Sequence, residues 1–244
     1  MINVAIDGPA GAGKSTVARA AAKELGFIYV DTGALYRAVG VYCLRNNIIT
    51  TDADCVGSIL KDITVELKFI DGVQHVFLNG DDVSTVIRLP EASMAASNVS
   101  AIPSVRTFLF DLQREIAAKN NCLMDGRDIG TVVLPDAKVK IFLTADPEER
   151  AMRRFKELQE KGSTVTYKEV LDDLMVRDYN DSHREIAPLK PAEDSVVINT
   201  TGYTLEESIN KIIETVKEKM LLQTQNILIF QIMKHIKDLM FSDL

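Results

Sequence analysis

Cysteine and histidine are scarce in this 244-residue chain, which has three of each. Cys43, Cys55 and Cys122 lie far apart, with no CxxC pair and no Cys/His spacing of a zinc site. That excludes a disulfide framework and a structural zinc site, and leaves buried thiols in a reducing compartment as the reading that fits. His75, His183 and His235 have no metal-ligating partner at helical spacing. Basic excess is missing too: 28 Lys and Arg against 35 Asp and Glu give a formal net charge of -7. General nucleic-acid binding needs clustered cations that release counterions, so any basic residues that act here must be focused locally. No apolar run is long enough to span a bilayer, since the stretch 227–233 gives way at once to Lys234, His235 and Lys237. The N-terminus lacks a basic leader segment before its first apolar run. These absences together predict a cytoplasmic protein with neither nucleic acid nor membrane as a partner. GxSxG and NKxD motifs, internal repeats and low-complexity segments are absent as well, which argues against a serine hydrolase and lowers the case for a guanine-specific switch.

What is present is an ordinary globular composition, 46% hydrophobic and 26% charged, enough for a full core without staples. Short β-branched runs at 3–6, 27–30, 122–124, 139–143 and 196–198 read as buried strands. Helical spacing of three and four follows at 14–25, 34–46, 105–119, 148–161 and 205–220. Strands alternating with helices call for a parallel sheet covered on both faces, an α/β three-layer core joined by right-handed crossovers. Two regions break the alternation. Between 63 and 87, alternating residues and the turn pairs Asp71-Gly72 and Asn79-Gly80 predict a small antiparallel sheet whose third strand runs to Ile87. From 148 to 191 the chain is rich in charge and predicts a helical flap. Met94, Met124, Met152 and Met175 read as gap-filling core residues.

Gly8-Pro9-Ala10-Gly11-Ala12-Gly13-Lys14-Ser15 satisfies GxxxxGK[ST] between a strand and a helix, with Thr16 next in the helix. Glycines let backbone N–H groups face a phosphate, the helix N-terminus adds positive potential, and Lys14 is placed for the β- and γ-phosphates. Ser15 has the hydroxyl that Mg²⁺ requires, and Asp125, at the end of the third strand, can order the same ion through water. The second strand ends in Asp31-Thr32-Gly33-Ala34-Leu35-Tyr36-Arg37 and the third in Asp125-Gly126-Arg127-Asp128-Ile129-Gly130-Thr131. Both therefore deliver carboxylates, a hydroxyl and guanidinium forks to the edge of the sheet where ligands bind. The flap offers Arg150, Arg153, Arg154, Arg177 and Arg184. Singly, each could as well form an exposed salt bridge; as a set beside a phosphate loop, they suit a lid that closes over ATP and excludes water.

These motifs, with Arg177-Asp178-Tyr179-Asn180-Asp181-Ser182-His183-Arg184, resemble those of the bacterial cytidylate kinases, in the nucleoside monophosphate kinase group of P-loop enzymes. The resemblance runs from Ile2 to about Met220. It implies a five-stranded parallel sheet of order 2-3-1-4-5 with an inserted antiparallel sheet and a helical lid. The implied division is a domain over 1–220, made of a core (1–35, 105–147 and 192–220), an acceptor-binding insertion near 36–104 and a lid near 148–191. It implies transfer from ATP to CMP or dCMP by a monomer, with Mg²⁺ as cofactor. Gly8 to Thr16 and Arg154 would hold ATP, and Lys14, Arg127, Arg153 and Arg177 would serve catalysis. Thr32, Ser97, Arg106 and Asp128 would read cytosine. Arg37, Arg127 and Arg184 would hold the acceptor phosphate with Tyr36 beside it, while Arg177 and Asp181 would reach the ribose.

A relative acting on another acceptor such as UMP, and a nucleotide-dependent switch using the inserted sheet, are the competing readings. Residues 221–244 depart from the family pattern. Ile229, Met233, Ile236 and Met240 recur at spacings of three and four, which suits an amphipathic helix that docks on the core, self-associates or leads to another domain.

Overall fold

The computed structural model describes residues 1–160 and 162–241, and side chains up to Leu222 and at Gln225. Its elements are β1 (Asn3–Asp7), α1 (Lys14–Leu25), β2 (Ile28–Asp31), α2 (Thr32–Arg45), α3 (Ala53–Ile59), β3 (Val65–Ile70), β4 (Val73–Leu78), β5 (Asp81–Asp82), α4 (Pro90–Ser100), α5 (Pro103–Lys119), β6 (Cys122–Gly126), β7 (Val139–Thr144), α6 (Pro147–Glu160), α7 (Tyr167–His183), β8 (Val196–Asn199) and α8 (Leu205–Phe241). The side chains of Ile229, Met233, Ile236 and Met240, from which an amphipathic face was expected, lie outside the described residues.

Five strands form one parallel sheet in the order β2-β6-β1-β7-β8. Numbered among themselves along the chain, these strands run 2-3-1-4-5. Alternation decides which helix each strand residue meets. Val4 and Ile6 of β1 share a buried cluster with Val17 and Ala21 of α1 and with Ile212 and Val216 of α8. Ala5, between them, faces the other way, with Met124 of β6 and Ala117 of α5. Each fully buried Ile or Leu in these layers contributes about 2 kcal/mol relative to exposure, so the sheet is a rigid base for whatever its C-terminal edge carries.

The insertion is built on local turn chemistry. Asp71 and Gly72 (φ 51° and 75°) and Asn79 and Gly80 (φ 50° and 89°) occupy the left-handed region that two-residue hairpin turns require. The resulting sheet, β3-β4-β5, is antiparallel. Its third strand does not reach Ile87. Val76 N–H donates to Ser84 Oγ (2.9 Å) and Ser84 N–H to Asp82 Oδ1 (2.9 Å), so side chains replace the ladder and a 3₁₀ turn follows over Val86–Arg88. Helix α4 starts on Pro90 and buries Ala92, Ala95 and Val99, a stripe of mostly small residues with weak helical periodicity in sequence. Two further expectations change. Cys43 and Cys122 are buried but Cys55 is exposed. Of the four methionines read as core, Met124 is buried, whereas Met94, Met152 and Met175 lie 39–50% exposed.

Candidate active site

The strand ends and their following loops line a single large cleft of about 1800 Å³. Every candidate residue named from sequence lines it except Arg150 in the flap and, in the phosphate loop, Gly8 and Pro9. The two loop residues are turned toward Lys14, whose Nζ donates to Gly8 O (2.7 Å) and Pro9 O (2.8 Å). Lys14 is only 6% exposed. Burial first, then the charge of Arg127, brings its ammonium down to about 7. The loop therefore holds a cation that gains when an anion arrives.

The tip of the loop is fixed from the flap. Arg150 donates from its NH1 group to Ala10 O (2.8 Å) and from Nε to Ala145 O (2.8 Å), and it pairs with Asp178 (2.7 Å). Asp178 Oδ1 in turn accepts from Ala10 N–H (3.2 Å). Arg150 was expected among the flap arginines brought to the phosphates. Instead it is buried and committed to the loop's backbone. Arg153 lies at the cleft edge, paired with Glu149 and donating to Thr200 O (2.8 Å) and Thr200 Oγ1 (3.3 Å). Arg154 pairs with Glu157 (2.8 Å).

At the centre stands Asp125, at the C-terminal end of β6. Ser15 Oγ donates to its Oδ2 (2.8 Å) and the Tyr29 hydroxyl to its Oδ1 (3.1 Å). Burial first, then the neighbouring Asp31, raises Asp125 to about 6. A hydroxyl and a carboxylate, both hard oxygen donors beside a phosphate loop, fit Mg²⁺. Among the described residues no group of three or more His, Cys, Asp or Glu side chains could hold a metal by protein ligands alone. A magnesium ion here would therefore be shared with phosphate oxygens and water.

The far side of the cleft is a lattice of arginine–aspartate pairs. Asp128 is flanked by Arg106 and, at 3.3 Å, by Arg184. Arg106 also lies over the Tyr36 ring, 5.8 Å from its centroid. Arg127 Nε donates to Asp181 Oδ2 (2.7 Å). Burial works against the Asp181 charge, but Arg127 outweighs it and holds the carboxyl below its usual range. Arg37 and Arg88 both reach Asp31, at 2.6 and 3.2 Å. Thr32 Oγ1 donates to Asp125 O (2.8 Å), tying the start of α2 to β6. The Nε groups of Arg37 and Arg177 are buried without a hydrogen-bond partner among the described residues. Two unmet guanidinium donors in a cleft of this charge point to an anion.

Three parts of this site were not named from sequence. Asp7, the last residue of β1, accepts from the N–H groups of Ile129 (2.7 Å) and Gly130 (2.7 Å), so it fixes the turn that follows Arg127 and Asp128. Burial raises it to about 6. An acid closing an apolar strand was the available signal. Arg88 and Tyr29 had none, because their partners come from other elements.

A family model described as cytidylate kinase matches residues 4–218. The chain belongs to the cytidylate kinase family. It is 53% identical over 213 residues to the cytidylate kinase of Caldicellulosiruptor bescii, covering 87% of this chain and 94% of that protein. It is 50% identical over 218 residues to the cytidylate kinase of Carboxydothermus hydrogenoformans, covering 89% and 98%. A solved structure of an uncharacterized protein from Eubacterium ventriosum superposes with a TM-score of 0.52 at 14% identity, covering 89% of this chain and 99% of that one, a likeness of fold alone. The cytidylate kinase match stops at residue 218, inside α8.

Proposed function

We propose that the chain transfers the γ-phosphoryl group of ATP to CMP and dCMP, giving CDP or dCDP and ADP, in pyrimidine nucleotide metabolism. One observation carries this reading: a single cleft has the phosphate loop at one end and Asp128, between Arg106 and Arg184, at the other. Cytosine presents an amino donor beside ring and carbonyl acceptors, which matches a carboxylate flanked by guanidinium groups. Uracil presents a carbonyl where cytosine has its amino group and would face the carboxylate with like polarity. Thr32 and Ser97 complete the base set, and Arg37, Arg127 and Arg184 the acceptor-phosphate set.

Transfer between two phosphates needs no protein nucleophile. An acceptor phosphate oxygen attacks, and the enzyme must align two anions in line while offsetting their repulsion. Lys14, Arg127, Arg153 and Arg177 supply positive charge for the transferring group. Ser15 directly and Asp125 through water would hold Mg²⁺, which neutralises charge on the donor phosphates when bound. Gly8 to Thr16 grip the triphosphate, with Arg154 on the ATP side. In this reading 36–104 is the acceptor-binding insertion and 148–191, with α6 and α7, is the lid that excludes water. The protein works as a cytoplasmic monomer on small molecules, in keeping with its net charge of -7. Among the described residues no helix is long and apolar enough to cross a membrane.

ADP release in a coupled assay tests the reaction. CMP and dCMP should each start turnover with ATP and Mg²⁺, and silence with both would overturn the proposal. The ribose contact has its own test. Asp181→Ala also frees Arg127, so both acceptors should weaken. CMP should lose about tenfold more than dCMP in kcat/KM if the carboxylate accepts from the 2′-hydroxyl. Equal losses would assign Asp181 to positioning Arg127 alone.

A further inference from the structure

The Asp31 carboxylate joins two cations that come from different elements. Arg37 rides on the second turn of α2, and Arg88 ends the 3₁₀ turn before α4. Both contact the same oxygen, Oδ2. The other oxygen, Oδ1, accepts from Ala34 N–H (3.0 Å) and caps α2, so Asp31 keeps a structural task when its ion pairs change. Although burial pushes it upward, Arg37 and Arg88 hold Asp31 below the usual carboxylate range.

Arg88 combines a fixed backbone with a half-exposed side chain. Ile87 beside it is fully buried. Backbone bonds from Ile87 N–H to Val83 O (3.0 Å), Arg88 N–H to Thr85 O (3.1 Å) and Leu89 N–H to Val86 O (3.1 Å) fix the turn. The Arg88 side chain is nevertheless 50% exposed, and it lines the cleft. An ion pair with one partner that exposed contributes little to stability. Two guanidinium groups on one oxygen also leave donor capacity unused, and Arg37 Nε has no partner among the described residues.

We propose that Arg88 is a further acceptor-phosphate residue: with Arg37 it forms a two-armed clamp that Asp31 pre-sets and that closes on the phosphate dianion of the nucleoside monophosphate. This rests on the phosphotransferase reading above and adds to it a contact from the insertion. On binding, phosphate oxygens take over the guanidinium donors that Asp31 holds at 2.6 and 3.2 Å.

The test compares the full-length parent with Arg88→Met and Arg88→Lys. The inhibition constant of cytidine, which lacks the phosphate, is measured beside the KM values for CMP and ATP. Arg88→Met should raise the KM for CMP roughly tenfold or more, the scale of one charge-assisted hydrogen bond, with the KM for ATP and the cytidine constant unchanged within about twofold. Arg88→Lys should recover part of the loss, since it keeps the charge but not the fork. A CMP KM within about twofold of the parent in Arg88→Met would overturn the clamp. Equal weakening of CMP and cytidine would overturn it too, because that assigns Arg88 to holding the insertion. A parent that fails to phosphorylate CMP at all would sink the phosphotransferase reading instead, an outcome distinct from either.

Discussion

Lys14→Met is expected to lower kcat about 10³-fold with every acceptor while leaving the protein folded, because it removes charge that acts on the transferring phosphoryl group. The ammonium has no bulk-solvent role to lose. It is 6% exposed and bonded to the carbonyls of Gly8 and Pro9. Burial depresses its pKa to about 7, so the ligand-free fold carries a penalty that Met does not, building as pH falls from the ordinary lysine range and complete below about 7. The urea midpoint of the variant should therefore not fall below that of the parent. The same shift fixes the pH behaviour of the parent. The protonated form is the active one, so kcat/KM for ATP should fall as pH rises through about 7. Bound triphosphate raises the Lys14 pKa, and kcat should hold to higher pH. A Lys14→Met enzyme with near-parental kcat would remove the phosphate loop from the mechanism.

Gly8→Ala should be the most damaging of the glycine-to-alanine changes. A Cβ at this position would lie 1.9 Å from Leu143 O, a backbone atom of β7 that cannot move without parting β7 from β1. At Gly13, by contrast, a Cβ meets nothing within 4 Å, and only its φ of 81° opposes a side chain. Denaturant unfolding should show a loss of roughly 3 kcal/mol or more for Gly8→Ala and about 1 kcal/mol for Gly13→Ala. ATP binding should vanish in the first. Similar midpoints for the two variants would mean that the loop relaxes away from β7 at little cost.

The sequence revealed those features whose causes are local. β-branched runs gave the five parallel strands, and Asp71-Gly72 and Asn79-Gly80 gave the hairpins because left-handed turn residues act over two positions. The third insertion strand was overextended, since Ser84 and Asp82 stop it by side-chain bonds that hydrophobic alternation does not register. The lining residues of the cleft were legible through GxxxxGK[ST] and the strand-end motifs. Their pairings were not. Arg127 meets Asp181 from 54 positions away, and Ala10 meets Asp178 from 168. Such contacts are set by how the crossovers fold back, so Arg150 read as a phosphate arginine although the fold spends it on Ala10. Asp7 likewise reads as a strand end until the turn at Ile129 arrives on it.

In the proposed function Asp128, with Arg106 and Arg184, selects cytosine over other bases. Values of kcat/KM for CMP, dCMP, UMP and AMP, taken with ATP and Mg²⁺ under one set of conditions, test this selection. A site built to accept from an amino group should favour CMP and dCMP over UMP by about 10²-fold or more. UMP or AMP turned over as efficiently as CMP would contradict it.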